Sequence, residues 1–179
     1  MDGPSDHELM ARAAGGDGRA FRTLAERHAG AALRLARRIL GNEAVAEDVV
    51  QDALLRVWIN APRWRPEAAF RTWLYRIVVN LCLNAKRRTP DLPLDAAAQV
   101  ADAGAPPDEQ LGLRERDERL AAAIDALPPR QRAAVTLTYQ EGLSNSDVAE
   151  VLDTSVSSVE TLLVRARRAL RDAFGSDGE

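Results

Sequence analysis

Between Arg19 and Leu40 the residues Phe21, Leu24, His28, Ala31, Leu35 and Ile39 recur every three or four positions. That spacing places them on one face of a long helix, and Gly41 stops it. Upstream, Ser5-Asp6-His7-Glu8 reads as a capping box that opens a short helix ending at Gly15-Gly16. Downstream, Asn42 caps a helix over about Glu43 to Asn60, with Val45 or Ala46, then Val49, Ala53 and Val57, on its inner stripe. A loop over Pro62 to Pro66 precedes a further helix, about Ala68 to Arg88, with Phe70, Leu74, Ile77, Leu81 and Ala85 inward. These helices form a bundle.

The pattern then lapses. Thr89 to Gly112 holds four prolines, two glycines and five acids, and its few hydrophobic residues show no sustained period. It reads as a flexible linker between an N-terminal module, about 5–88, and a C-terminal one, about 113–174. The second module predicts helices over about Leu113 to Ala126 and Arg130 to Gln140, broken by Pro128-Pro129 and stopped at Gly142. Ser144 caps another over about Asn145 to Leu152. A tight turn at Asp153-Thr154 leads to Ser155, which caps a last helix reaching about Phe174. Two helices joined by so short a turn, the second one basic, make a helix-turn-helix. Val148, Ala149 and Leu152 are placed to pack on Val159, Leu162, Leu163 and Ala166. The fold class is all-α, as two small helical domains joined by a linker.

Composition narrows the reading. Leu and Ala dominate the apolar set and runs of β-branched residues are scarce, which agrees with helices. No stretch is apolar for the roughly 18–20 residues that a membrane span needs, and the polar, acidic start is no signal peptide. The cytoplasm is the expected location. Cys82, the single cysteine, leaves no internal disulfide or cysteine-rich zinc site and reads as a small buried hydrophobe. His7 and His28 lack metal-ligand spacing. No metal, cofactor or catalytic residue is expected, since no pair resembles a nucleophile with its base, a phosphate loop or a metal cluster.

The net charge of −3 argues against nucleic acid until its distribution is followed. From Ala61 to Pro90 there are seven basic residues and one acid; from Asp91 to Asp125, nine acids and three basic residues. From Thr154 to Arg171 there are four arginines and one glutamate. Two basic patches flank an acidic stretch.

Three constellations carry candidate chemistry. In the helix-turn-helix, Ser155, Ser157, Ser158 and Thr161 stand at the end that enters a major groove, and Arg165, Arg167, Arg168 and Arg171 can neutralise flanking phosphates. A plain helical hairpin with a basic face is the alternative. Between Arg63 and Arg76, aromatics interleave with arginines, a pattern suited to stacking on unpaired bases. Phe70 and Trp73 read equally well as core. On the Glu43–Asn60 helix, Glu47, Asp48, Gln51, Asp52 and Leu55 form a stripe that suits a basic partner helix, or is simply a solvated face.

The segments AEDVVQDALLRVW (Ala46 to Trp58) and FRTWLYRIVVNLCLNAKRR (Phe70 to Arg88) closely resemble region 2 of the extracytoplasmic-function (ECF) sigma factors of bacterial RNA polymerase. Leu127 to Leu170, which opens LPPRQRAAVTLTYQEGLSNSDVAEVLDTS, resembles their region 4. The resemblance implies a subunit that binds core polymerase at the β′ clamp helices and the β flap and directs promoter-specific initiation, commonly under an anti-sigma factor. It implies that Glu47, Asp48, Gln51, Asp52 and Leu55 grip the clamp helices. It also implies that Arg63, Trp64, Arg65, Trp73, Tyr75, Arg76 and Asn80 melt and hold the minus-ten element, within the Trp64–Ala69 loop and its flanks. The helix from Ser155, with Ser157, Ser158, Glu160, Thr161, Arg165, Arg167 and Arg168, would read the minus-thirty-five element.

Glu160 and Leu162 depart from the basic residues common at those positions, so the preferred sequence does not carry over. Glu160 suits a cytosine amino group better than a phosphate. The linker's 24 residues extend to about 80 Å, enough for the modules to reach separated promoter elements, and its acids suit a basic channel and compete weakly with DNA. Two rivals stand beside this reading. A decoy that mimics a sigma factor to sequester an anti-sigma protein would be expected to carry a receiver domain. A stand-alone helix-turn-helix regulator would need a sensing pocket.

Overall fold

The computed structural model describes residues 3–65, 69–88 and 118–175. The expected linker, the first residues of the expected Leu113–Ala126 helix and Pro66 to Ala68 of the Trp64–Ala69 loop lie outside the described residues. The described elements are α1 (Asp6–Ala14), α2 (Gly18–Leu40), α3 (Glu43–Asn60), a 3₁₀ turn (Ala61–Arg63) and α4 (Phe70–Arg88). Then follow a helical segment over 118–125 (α5), α6 (Pro129–Val135), a π-turn (Thr136–Gln140), α7 (Asn145–Val151) and α8 (Val156–Gly175).

The ends of these helices are set by their caps. Ser5 with Glu8 and Ser144 with Asp147 form reciprocal capping boxes. Asp17 and Asn42 accept from the first amides of α2 and α3. Gly41, at φ 70°, closes α2 in the left-handed conformation that glycine takes without a Cβ clash. The expected helix over Arg130 to Gln140 proves to be α-helical only to Val135. Its last turn is widened, with the Glu141 amide donating to the Thr136 carbonyl.

Helices α1 to α4 bury one face each around Leu24, Leu35, Ile39, Val57, Leu74 and Val78. Ala46, and not Val45, takes the inner position at the start of α3; Val45 is exposed. Two expected stripes shift. On α2 the fully buried positions include Ala20, Ala32 and Ala36, while Phe21, His28 and Ala31 sit at the margin. His28 is held there by Asp6 at 2.6 Å, which ties α1 to α2, and its ring lies 5.0 Å from that of Phe70.

On α4, Tyr75, Val79, Cys82 and Leu83 are buried, whereas Ile77, Leu81 and Ala85 are only half-buried. The reason is that α4 is covered on more than one side. It packs on α2 and α3, and also on α6 and α7 of the second module. The modules therefore share one contiguous core, which includes the helix-turn-helix residues Val148, Leu152, Val159, Leu163 and Ala166. Cys82 is fully buried, as expected, and burial pushes its thiol up to about 12.

Candidate nucleic-acid interface

A groove of about 580 Å³ opens between the end of α3, the turn after it and the first half of α4. It arises from local chain geometry. The 3₁₀ turn from Ala61, with Pro62 as its second residue, ends α3, and the Trp64 amide closes it onto the Ala61 carbonyl at 3.1 Å. Trp64 is thereby laid against the bundle. Its ring meets the edge of His7 at 5.2 Å and it is half-buried. Phe70, only 4% exposed, is core, and Trp73 is half-buried beside it with ring centroids 6.1 Å apart.

The groove brings together most of the residues expected to handle unpaired DNA. Arg63, Trp64, Arg65, Trp73, Arg76 and Asn80 all line it. Aromatic walls at a mouth of guanidinium groups supply stacking surface and backbone neutralisation in one place. Tyr75 is not among them. It is 1% exposed and turned to the opposite side of α4, where its hydroxyl donates to Glu141 at 2.6 Å. Four residues outside the expected DNA-handling set share the groove: Arg56, Asn60, Ile77 and Glu150. Arg56 was findable, since it lies one turn after Asp52 and one turn before Asn60. It holds Asp52 through two bonds of 3.1 Å and lines the groove. Glu150 was not, because it comes from α7 of the other module.

The α3 stripe is present as drawn. Glu47, Asp48, Gln51 and Leu55 are exposed, with Leu55 56% so, and Asp52 is half-buried by its contact with Arg56. Beside it, Val45, Asp48, Asp52, Leu81 and Ala85 edge a second, smaller depression of about 340 Å³, with Arg56 and Arg88 also in its lining. Acids around an apolar strip present what an amphipathic basic helix would need.

At the helix-turn-helix, Asp153 takes φ 50°, the left-handed conformation that Asp tolerates better than most residues, and so turns the chain within two positions. The Ser155 hydroxyl accepts from the Ser158 amide at 3.2 Å and is within bonding reach of the hydroxyls of Ser157 and Ser158. Ser155, Ser157, Glu160, Thr161, Arg165, Arg167 and Arg168 are exposed along α8, and Ser158 is half-buried. Leu162 is half-buried against the core, so its lack of charge fits its place.

A set of polar contacts crosses between the modules. Glu141 meets Arg38 at 3.3 Å as well as Tyr75, and its carbonyl accepts from Arg71. Arg76 meets Asp153 at 3.1 Å. Arg132, only 4% exposed, donates to the Ile39 carbonyl at 3.3 Å while paired with Asp125 at 3.0 Å. Burial lowers its affinity for the proton and the Asp125 carboxylate offsets part of that.

Comparison with known proteins accounts for this arrangement. Residues 24–90 match the family described as Sigma-70 region 2, and residues 117–170 match Sigma-70, region 4. The chain is 36% identical over 174 residues to the ECF RNA polymerase sigma factor SigM of Mycobacterium tuberculosis, across 96% of this chain and 85% of that one. It is 33% identical over 177 residues to the ECF RNA polymerase sigma-E factor of Escherichia coli, across 93% and 92%. Its structure superposes on that of CnrH in complex with the cytosolic domain of CnrY with a TM-score of 0.72 at 31% identity, covering 98% of this chain and 100% of that one. With both conserved regions in order and relatives of this identity along nearly its whole length, the chain belongs to the ECF sigma factors of the sigma-70 family, the subunits that direct transcription initiation by RNA polymerase.

Proposed function

We propose that the groove beside α4 is where this sigma factor holds the separated strand of the minus-ten element. The observation that carries the reading is the convergence of Trp64 and Trp73 with Arg63, Arg65, Arg76 and Asn80 around one opening. Trp64 and Trp73 offer stacking faces, Arg63, Arg65 and Arg76 hold the backbone, and Asn80 offers an amide to a base edge. Tyr75 joins this set only if α4 is uncovered. The α3 stripe of Glu47, Asp48, Gln51, Asp52 and Leu55 docks the β′ clamp helices of core polymerase, and region 4 rests on the β flap. The exposed face of α8, from Ser155 to Arg168, enters the major groove at the minus-thirty-five element, with Glu160 favouring a base amino group over a phosphate.

In this division of labour polymerase makes the RNA and the sigma factor supplies position, so it carries out no chemistry of its own. Residues 5–88 and 113–174 act as the two reading heads, with 89–112 spanning the interval between promoter elements. The chain works in the cytoplasm; among the described residues no helix is long and apolar enough to cross a membrane. An anti-sigma factor restrains it, in keeping with a structural relative solved with the cytosolic domain of CnrY.

The test is transcription in vitro from a panel of promoters with purified core polymerase. Promoter-selective transcripts are expected only when the subunit is added. Transcripts that do not depend on it, or that start without promoter selectivity, refute the reading.

A further inference from the structure

The first turn of α1 is held from several sides. Ser5 and Glu8 cap one another, which fixes where the helix starts and so which way its next residues point. Asp6 is bonded to Arg27 at 2.5 Å and to His28 at 2.6 Å, both on α2. Leu9 and Met10, in the following turn, are buried in the core. His7 lies between these anchors and points to the 3₁₀ turn. It is exposed, and its ring meets that of Trp64 with 5.2 Å between centroids and 66° between planes.

Trp64 needs such a contact. The bond from its amide to the Ala61 carbonyl sets its backbone but leaves the two torsions of the indole to be fixed by other means. His7 stands against that ring, carried by a helix that also packs on the 3₁₀ turn itself. Among the described residues, Trp64 lines the groove and His7 does not, so the imidazole supports the indole from outside the opening.

We infer that His7 is a positioning residue for promoter opening, its ring holding the Trp64 indole in the groove wall ready for an unpaired base. This rests on the reading of that groove given above. A base that stacks on a ring already held forfeits less side-chain freedom than one that must first order the ring. The separation and tilt are those of a favourable aromatic pair, so the ring of His7 carries the effect and not its charge. Asp6 keeps the support stiff, because it ties the same turn of α1 to α2. His7 also lies outside residues 24–90, the span that matches Sigma-70 region 2. The support therefore comes from a segment that precedes that region.

The experiment uses the full chain. In nitrogen-15-labelled protein the three tryptophans give three indole N–H signals, and the one lost in Trp64→Phe belongs to Trp64. Its heteronuclear Overhauser effect reports how rigid the ring is on the picosecond-to-nanosecond scale. A rigid indole is expected in the unmodified chain, a more mobile one in His7→Ala, and a rigid one again in His7→Phe. Because His7 is exposed, helicity and the urea midpoint should not change. With core polymerase on a duplex promoter, permanganate reactivity gives the opening rate. His7→Ala is expected to slow opening about three- to tenfold, and His7→Phe to restore it.

The decisive comparison is a double-mutant cycle. In a Trp64→Ala background, His7→Ala is expected to add nothing, since the ring it positions is gone. Equal slowing in both backgrounds, an indole no more mobile in His7→Ala, or failure of His7→Phe to restore opening overturns the proposal. So does slow opening by Trp64→Ala with normal opening by His7→Ala. A more mobile indole with normal opening by both His7→Ala and Trp64→Ala upholds the positioning of Trp64, and overturns instead the assignment of the groove to the separated strand.

Discussion

The hydroxyl of Tyr75, from the middle of α4, donates at 2.6 Å to the carboxylate of Glu141, which follows the π-turn 66 residues later in the other module. Burial and the neighbouring carboxylate both raise the phenol's proton affinity, so it remains a donor through the physiological range. Removing the hydroxyl leaves the carboxylate short of one partner in a nearly closed site. Tyr75→Phe is expected to lower unfolding free energy by about 1.5–3 kcal/mol, as for a hydrogen bond to a charged group. Urea titration of the full chain measures it. A loss well below that range would mean that water replaces the phenol at Glu141.

The α3 stripe is expected to govern binding to core polymerase without governing the fold. Asp48 is exposed, and among the described residues Asp52 bonds to Arg56 one turn along the same helix. Asp48→Arg with Asp52→Arg should leave helicity by circular dichroism unchanged and abolish most retention on immobilised core enzyme at moderate salt. Undiminished retention would make the stripe a solvated face.

Trp64 and Phe70 are expected to part company on substitution. Phe70→Ala should cost about 3–5 kcal/mol of stability, since its ring is core. Trp64→Ala should cost less, because that ring is only half-buried, but it should slow promoter opening by an amount on the order of 1–3 kcal/mol. Permanganate footprinting with core enzyme reads the opening, and a promoter with a pre-melted bubble should rescue the variant. Normal opening on fully duplex promoter would move the melting role to Trp73 and the helix behind the loop.

Cys82 is expected to be chemically silent in the folded protein. Its thiol is raised to about 12 from an ordinary value of about 8.5 because the thiolate would be buried among apolar residues. The folded state therefore holds the proton where the unfolded chain releases it. Stability from this site is complete below the unfolded value and declines as pH rises from there toward about 12. Reaction with a disulfide reagent at neutral pH should be slow and should accelerate sharply in denaturant. Prompt reaction in the native state would show that α4 opens locally.

The helices were legible in the sequence because their determinants are local. Ser5 with Glu8, Ser144 with Asp147, Gly41 and the Ser155 cap act within a few residues of themselves, and the structure keeps each of them. The stripe on α3 and the exposed face of α8 followed from helical spacing alone. What spacing cannot show is which side of a helix a distant segment will cover. Val45 against Ala46, the half-exposure of Ile77 and Leu81, and the burial of Tyr75 were all decided by what packs on α3 and α4. Tyr75 is the sharpest case. Its place among arginines and tryptophans is that of a DNA-binding aromatic, yet it lies on the other side of the helix from Trp73, and the second module, with Glu141, covers that side. The sequence by itself determined the elements, their caps and the residues able to meet DNA or polymerase, since hydrogen-bonded caps and helical periodicity are short-range. Only the tertiary structure decided that the two modules share a core and that Glu141, Glu150 and Asp153 face the arginines of α4. That meeting depends on contacts between residues some 70 positions apart, which no local pattern encodes.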